Sequence, residues 1–261
     1  MINKIGCVLS GGGARGFAHL GLLKLLEELS IKPYAIAGTS SGAIVGALYA
    51  AGKSPDAILE LMKKDNFFGW SNLMWSKKAI FSMKTLREVL TKTVATDDFD
   101  ALPIKLFVAS TDLNKGKAVI ISKGELIKAV IASAAVPVLF EPVIMGNQLL
   151  VDGGLLNNFP VEPLESICDC IIGLHVNKME AGIEKSSLFH TFNMMEHCFH
   201  LAIANTVYSK INKCDVFIEP SLHEFDMFEI KNADKIFEIG YQSARKQQSA
   251  LLKLTDIIKK K

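Results

Sequence analysis

The chain has 261 residues, 49% of them hydrophobic, and a formal net charge of +2 at pH 7. That length suffices for one sizeable hydrophobic core, and we expect a single domain over residues 1–261. The near-neutral charge argues against a dedicated nucleic-acid-binding protein, which concentrates Lys and Arg on one face. The longest apolar segment, residues 129–145, is interrupted by two prolines and a glutamate, so we do not expect it to span a membrane.

The cysteine pattern and the N-terminus bear on location. The N-terminus lacks the charged region, long apolar stretch and small-residue cleavage site of a signal peptide. The five cysteines are scattered, have no second pair at zinc-ribbon spacing and are typical of buried thiols in a reducing cytosol. They are Cys7, Cys168, Cys170, Cys198 and Cys214. We therefore expect a cytoplasmic protein and leave a peripheral contact with membranes open.

Strands and helices alternate from the N-terminus. Residues 4–10 predict a short buried strand that stops at glycine, and residues 14–29 carry apolar side chains at helical spacing. A second pair follows, with a strand over 34–38 and a nearly all-apolar helix over 41–52. The small residues of that helix predict close packing against a sheet. A serine N-cap and a proline then mark the start of a helix at Ser54.

The alternation continues through the second half of the chain. The remaining predicted elements are strands 104–111 and 117–122, a helix over 124–135, a hairpin over 143–152 around Gly146-Asn147, strands 169–176 and 214–220, a helix over 186–213 and a last helix over 232–258. No repeat, low-complexity tract or linker marks a second domain. This order predicts an α/β sandwich around a mainly parallel sheet.

The first predicted strand runs into the loop GGGARG, in which Gly11, Gly13 and Gly16 satisfy the G-x-G-x-x-G spacing of a dinucleotide site. Such a site also needs an Asp or Glu near the end of the second strand, to bind the ribose hydroxyls. The second strand ends instead in GTSSG, which offers no acid. The loop is therefore expected to bind an anion other than NAD, FAD or ATP.

GTSSG has the G-x-S-x-G pattern of a nucleophile elbow, with Ser40 at its centre between Gly38 and Gly42. The glycines relieve crowding in a tight strand-to-helix turn that exposes the serine side chain. The alternative is an ordinary helix N-cap, which Ser41 could supply unaided. The position between a strand and a small-residue helix favours a catalytic serine.

A serine that attacks an acyl group creates a tetrahedral oxyanion, which needs hydrogen-bond donors positioned in advance. The backbone N–H groups of Gly11, Gly12 and Gly13, at the head of a helix, can supply them without side chains in the way. The glycine loop is therefore expected to stabilise a charge that the reaction itself creates.

A serine nucleophile also needs a proton acceptor, which is usually histidine. The sequence has six histidines, and none lies in a convincing motif: His19, His175, His190, His197, His200 and His223. His175 is the best placed, at the end of a predicted strand, but a structural role is favoured there. His190, His197 and His200 share a predicted helix without a carboxylate at ligand spacing, so we expect no metal site.

The stronger candidate for the base is Asp152, in VDGGLLNNFP. It follows a predicted strand, and Gly153 and Gly154 let the chain turn sharply beside it, so its carboxylate can approach Ser40. The alternative is a common Asp-Gly turn. Asp112, in STDLNKG, is the second carboxylate to consider, although a turn-forming role is favoured for it.

Three ordered motifs, GGGARG (Gly11 to Gly16), GTSSG (Gly38 to Gly42) and DGG (Asp152 to Gly154), resemble the patatin-like phospholipase family. The stretches STDLNKG, ASAAVPVLFEP and NNFPVEPL add to the resemblance. It is close over about residues 4–165, the expected catalytic core. Residues 166–261 look like the C-terminal portion of small bacterial members and are expected to complete the same fold.

The resemblance implies a three-layer α/β/α fold and hydrolysis of lipid acyl esters by a Ser-Asp dyad. Ser40 matches the family's nucleophile and Asp152 its base, while Gly11, Gly12 and Gly13 match its oxyanion loop. Arg15 stands where the family often has Arg or Lys, and Gly16 closes the same loop. The third motif reads DGG where many relatives have DGA, a tolerated variant.

We therefore expect two-step acyl transfer to water, on a lipid or other acyl ester, with no metal and no cofactor. There are two alternatives: an acyltransferase with the same nucleophile, and a regulatory lipid-binding protein with little turnover. The head group, chain length and oligomeric state are not predicted. The stretch from Asn66 to Phe81 holds both tryptophans, and its role as a lid, an interfacial patch or a cover for the core is left open.

Overall fold

The computed structural model describes residues 4–64, 83–179, 194, 201, 203, 206–227 and 230–256. In this part of the chain eight strands form one sheet. They are β1 (Ile5–Leu9), β2 (Ala35–Thr39), β3 (Lys105–Asp112), β4 (Lys117–Ile121), β5 (Val143–Met145), β6 (Gln148–Asp152), β7 (Cys170–Leu174) and β8 (Val216–Ile218).

Helices connect and cover these strands. Within the described ranges they include α1 (Phe17–Glu28), α2 (Ser41–Ala50), α3 (Pro55–Lys64), α4 (Lys84–Thr93), α5 (Leu126–Ser133), α6 (Glu162–Glu165), α7 (Ala233–Lys246) and α8 (Gln248–Asp256). None of the helices in the described ranges has both the length and the apolar character needed to cross a bilayer.

The sheet runs in the order β5-β6-β3-β2-β1-β7-β8, with β4 paired to β3. The strands β3, β2, β1, β7 and β8 are mutually parallel, β4 and β6 pair antiparallel with β3, and β5 pairs antiparallel with β6. β3 is long enough to pair with β2 over residues 105–109 and with β6 over residues 110–112. The sheet is therefore mainly parallel, as predicted, and β7 and β8 extend it beyond residue 165.

Both faces of the sheet are buried, as the side chains of β1 show. Cys7 and Leu9 belong to the larger core cluster, which includes residues of α1 and α2. Val8, on the opposite face, packs with Phe159 and Ile171 in a second cluster. Because successive residues of a strand point to opposite faces, this alternation means that apolar layers cover both sides. The predicted three-layer α/β/α architecture is confirmed.

Two predicted helices differ in detail. The helix predicted over 14–29 starts as a 3-10 turn (Gly13–Gly16), in which the Ala14 N–H group donates to the Met227 carbonyl at 2.6 Å. The helix predicted over 232–258 is divided into α7 and α8 at Gln247, whose N–H group bonds the Ala244 carbonyl. The turn allows α8 to bury Leu251.

Other predictions agree with the structure or cannot be compared with it. The hairpin forms between β5 and β6, with Gly146 at a φ of 56° in its turn. Among the described cysteines, Cys7 and Cys170 are buried, Cys168 and Cys214 are half-buried, and no disulfide joins any two of them. The helix predicted over 186–213 falls largely on residues outside the described ranges, and so do Cys198 and the stretch from Asn66 to Phe81.

Candidate active site

The strand-to-helix turn at Ser40 has the backbone that its sequence predicts. Ser40 separates β2 from α2 and has φ 50° and ψ −118°, a conformation that side-chain-bearing residues rarely adopt. A Cβ atom on Gly38 would lie 2.5 Å from the Gly42 carbonyl oxygen, and one on Gly42 would collide with the Leu9 carbonyl oxygen. Both glycines are therefore required by packing, and Ser40 alone is partly exposed between buried neighbours.

Hydrogen bonds from three other segments hold this strained turn. The Ser40 N–H group donates to Ser133 Oγ at 2.9 Å, and the Ser133 hydroxyl donates to the Ala109 carbonyl at 2.5 Å. The Thr39 hydroxyl donates to the Asn157 carbonyl at 2.9 Å. These bonds attach the turn to α5, β3 and the segment after Asp152, and they hold the backbone of Ser40 in place.

Asp152 lies at the end of β6, only 2% exposed, and its side chain shares a hydrogen bond with Ser40. Its Oδ1 atom also accepts the Gly154 N–H group at 2.6 Å. Burial raises the pKa of Asp152 from 3.8 to about 6, although the hydrogen bonds from Ser40 and Gly154 act in the opposite direction. A Cβ atom on Gly153 would collide with the Ala109 carbonyl oxygen, so this glycine allows the chain after Asp152 to pack directly against β3.

The glycine loop lies beside the elbow, because Leu9 at the end of β1 pairs with Gly38. Gly11 uses both of its backbone groups, since its N–H group donates to the Asn158 carbonyl at 3.3 Å and its carbonyl accepts Asn177 Nδ2 at 2.6 Å. The N–H groups of Gly12 and Gly13 have no acceptor in the described ranges. Of the three predicted donors, two are therefore available for an anion.

Arg15 and Gly16, the other loop residues, make contacts within the fold. Arg15 Nε donates to the Phe225 carbonyl at 2.9 Å, which ties the loop to the C-terminal part of the chain. A Cβ atom on Gly16 would lie 2.7 Å from both Cβ and Oγ of Ser41. Gly16 therefore allows the loop to pack closely on the start of α2.

Two of the histidines have polar partners other than Ser40 and Asp152. His19 is buried against the Ser10 carbonyl at 2.8 Å, and burial lowers its pKa to about 4. His175 Nδ1 lies 2.9 Å from Glu219 Oε1, in agreement with the structural role favoured above. In the ranges that the structure covers, no group of three or more His, Cys, Asp or Glu side chains could hold a metal ion. His190, His197 and His200 lie outside these ranges.

Asp112 has the turn-forming contacts that the sequence favours. Its Oδ1 atom accepts the N–H groups of Asn114 and Lys115 at 3.0 and 3.3 Å. Its Oδ2 atom accepts Gln148 Nε2 at 3.1 Å. All these partners belong to the β3–β4 turn or to β6, so the carboxylate stabilises the turn and its neighbour strand.

Sequence reasoning missed several polar residues that border the site. Ser133 supports the elbow, Asn177 holds the Gly11 carbonyl, and Asn157 and Asn158 contact the elbow and the loop through their backbones. They lie in stretches quoted above for the family resemblance or just after a predicted strand. No local pattern distinguishes their role, because each acts across a long sequence separation.

With this geometry in place, comparison with known proteins identifies the class. Residues 7–165 match the family model of patatin-like phospholipases, so the chain belongs to that family. The fold agrees with that of VipD from Legionella pneumophila, at a TM-score of 0.57 and 16% identity, over 94% of this chain and 66% of that one.

Two relatives illustrate the sequence similarity. An uncharacterised NTE family protein of Mycobacterium tuberculosis is 31% identical over 192 residues, which cover 69% of this chain and 51% of that protein. Lysophospholipase nte1 of Aspergillus fumigatus is 24% identical over 269 residues, which cover 91% of this chain and 18% of that protein. This chain thus spans about half of the mycobacterial relative and a smaller share of the fungal one.

Proposed function

We propose that this chain is a serine acyl hydrolase that cleaves fatty-acyl esters of lipids, of the phospholipase A or lysophospholipase type. The main support is the hydrogen bond between Ser40, at a strained elbow, and the buried carboxylate of Asp152. Membership of the patatin-like phospholipase family supports a lipid ester as the substrate. Lipids lie in membranes or micelles, so the proposal includes peripheral contact of a cytoplasmic protein with a lipid surface.

Asp152 acts as the general base in the first step. Its carboxylate accepts the Ser40 hydroxyl proton while Ser40 Oγ attacks the acyl carbon. A carboxylate is ordinarily a weak base toward a hydroxyl, but burial raises the pKa of Asp152 to about 6 and makes its ionised form a better acceptor. The bond from the Gly154 N–H group orients the carboxylate without occupying both oxygens.

The N–H groups of Gly12 and Gly13 stabilise the oxyanion that forms on attack. Each is a fixed dipole with no acceptor of its own among the described residues, so it need not break a bond to receive the charge. The N-terminus of α2 begins directly after Ser40 and adds a favourable partial positive charge.

Collapse of the tetrahedral intermediate expels the alcohol, which takes the proton held by Asp152, and leaves Ser40 acylated. Asp152 then accepts a proton from water as the water oxygen attacks the acyl carbon. The second intermediate collapses to the free acid, and the proton returns to Ser40 Oγ. This scheme uses only the chain's own groups and water.

Labelling with a fluorophosphonate probe and assays on p-nitrophenyl esters, lysophospholipids and phospholipids test the proposal. Wild-type protein should be labelled and should release free acid, whereas Ser40→Ala should do neither. Ser41→Ala is the matched control, because the buried Ser41 hydroxyl has no hydrogen-bond partner among the described residues and its loss should be mild. Activity in Ser40→Ala together with loss in Ser41→Ala would show that the nucleophile is misassigned.

The same assays separate the alternatives. An acyltransferase would be labelled but would pass the acyl group to an added alcohol acceptor in preference to water. A regulatory lipid-binding protein would bind vesicles without labelling or acid release. Either result would contradict the hydrolase proposal while leaving the fold assignment intact.

A further inference from the structure

Two adjacent asparagines follow Asp152, and their side chains differ in hydrogen bonding within the described part of the chain. The Asn157 side chain is satisfied, since its Nδ2 donates to Glu162 Oε2 at 3.1 Å and its Oδ1 accepts Lys210 Nζ at 2.7 Å. Its carbonyl also accepts the Thr39 hydroxyl. Asn157 therefore anchors the segment against the elbow.

Asn158 is more deeply buried, at 2% exposure, yet its side chain makes no such bonds. Its Oδ1 atom is enclosed and has no hydrogen-bond partner in the described part of the chain. Leaving a buried carbonyl oxygen unpaired costs about 1–3 kcal/mol, so the Asn158 side chain is not held in place by hydrogen bonds of its own among the described residues. Its backbone carbonyl, which accepts the Gly11 N–H group, places it against the glycine loop.

The nitrogen of this carboxamide borders the space left by the missing side chain of Gly11. A Cβ atom on Gly11 would lie 2.8 Å from Asn158 Nδ2 and 3.2 Å from Ser40 Cβ. The Ser40 side chain and the amide nitrogen thus both approach the same side of Gly11. Gly12 and Gly13, whose N–H groups have no acceptor among the described residues, follow Gly11 directly.

We propose that Asn158 is a third oxyanion donor, whose Nδ2 group donates a hydrogen bond to the acyl carbonyl oxygen of the substrate. The bond strengthens as that oxygen becomes negatively charged on attack by Ser40. The inference rests on the proposed function, because it requires Ser40 to be the nucleophile. A neutral amide suits this task, since its N–H groups carry no competing charge and burial fixes its direction.

The test replaces Asn158 with leucine, which has a similar volume and no donor. Asn158→Leu should lower kcat about 10²–10³-fold, while KM stays within about threefold, because the oxyanion exists only after attack. Its Tm should be equal to or above that of wild type, because an unpaired buried amide is removed. Asn157→Leu is the control for a structural role and should lower Tm.

A second variant and a second substrate keep the test decisive. Asn158→Asp is nearly isosteric and should lose at least as much kcat, because it places a carboxylate beside the oxyanion. A thionoester substrate, whose sulfur accepts hydrogen bonds weakly, should react much more slowly than the ester in wild type. That preference should shrink in Asn158→Leu, which a purely structural role would not produce.

The outcomes separate this inference from the proposed function. If Ser40→Ala is inactive and folded Asn158→Leu or Asn158→Asp keeps kcat within threefold of wild type, the third donor is wrong and the Ser40–Asp152 hydrolase stands. If Ser40→Ala retains hydrolysis, the proposed function itself fails. An unchanged preference for the ester over the thionoester in Asn158→Leu would also overturn the inference.

Discussion

Asp152→Asn removes a proton that should link the stability of this protein to its activity. Burial raises the pKa of Asp152 from 3.8 to about 6, so between these pH values the folded chain holds the proton more tightly than the unfolded chain does. Stability contributed by this group is present in full below about pH 4 and is lost as the pH rises through about 6. The corresponding free energy is about 3 kcal/mol, and at 2% exposure solvent does little to screen it.

Urea unfolding of wild type and Asp152→Asn, at intervals from pH 4 to pH 8, measures this contribution. The free energy of unfolding of wild type minus that of the variant should fall by about 2 kcal/mol between pH 4 and pH 8, because the unfolded carboxyl is already partly ionised at pH 4. Differences in the hydrogen bonds of an amide and a carboxylic acid add a constant offset, so the change with pH is the relevant quantity. Relative to wild type, the Asp152→Asn variant should therefore be more stable at pH 8 than at pH 4.

The activity should depend on the same proton, but it should increase with pH over the range in which the stability contributed by Asp152 decreases. Only ionised Asp152 can accept the Ser40 proton, so kcat/KM should fall about tenfold per pH unit below a midpoint near 6. A stability difference that stays constant from pH 4 to pH 8 would refute the desolvation of Asp152. A kcat/KM midpoint near 4 would show that the base is an ordinary exposed carboxylate or another group.

Further substitutions test the rest of the site. Gly12→Val forces a Cβ atom against Val176 and should tilt the loop, so kcat should fall at least about 10²-fold with a smaller change in KM, as steady-state kinetics can show. Asp112→Asn should keep most of its activity, whereas Asp152→Asn should lose several orders of magnitude in kcat. The reverse result would show that Asp112 is the base. Lys210→Met should lower the free energy of unfolding by about 1–3 kcal/mol, because its three partners lose their cation, whereas the more exposed Lys213→Met should have a smaller effect in the same urea assay.

The elements that the sequence predicts best are those whose signals are local. The strand–loop–helix units at residues 4–29 and 34–52 are apolar runs stopped by glycine and followed by helical periodicity. The strand order carries no such signal. β1 lies between β2 and β7, and its Ile5 pairs with Cys170, far away in the sequence. Only the burial of both faces of β1 indicates that it is central.

The residues of the candidate site also differ in whether a local sequence pattern predicts them. Ser40 and Asp152 can be predicted because each stands beside glycines that a tight turn requires, and such turns leave a sequence pattern. Ser133, Asn158 and Asn177 have no pattern of that kind. Their roles depend on how α5, the segment after Asp152 and the end of β7 pack around the elbow, and tertiary packing of that sort is not encoded in any local window.

The spacing of the glycine loop is compatible with two kinds of anion site in the sequence, and its surroundings in the structure support the oxyanion hole proposed above. A dinucleotide site and an oxyanion hole both need backbone N–H groups that converge at a strand-to-helix turn, and both therefore favour glycines there. The difference lies in what the neighbouring strand presents to the loop. Here β2 presents Ser40, whose hydroxyl bonds Asp152, at the point where a dinucleotide site would place a ribose-binding acid. Because Gly11 leaves space next to Ser40, while Gly12 and Gly13 keep free N–H groups within the described ranges, the loop suits a charge that forms on an acyl group bonded to that serine.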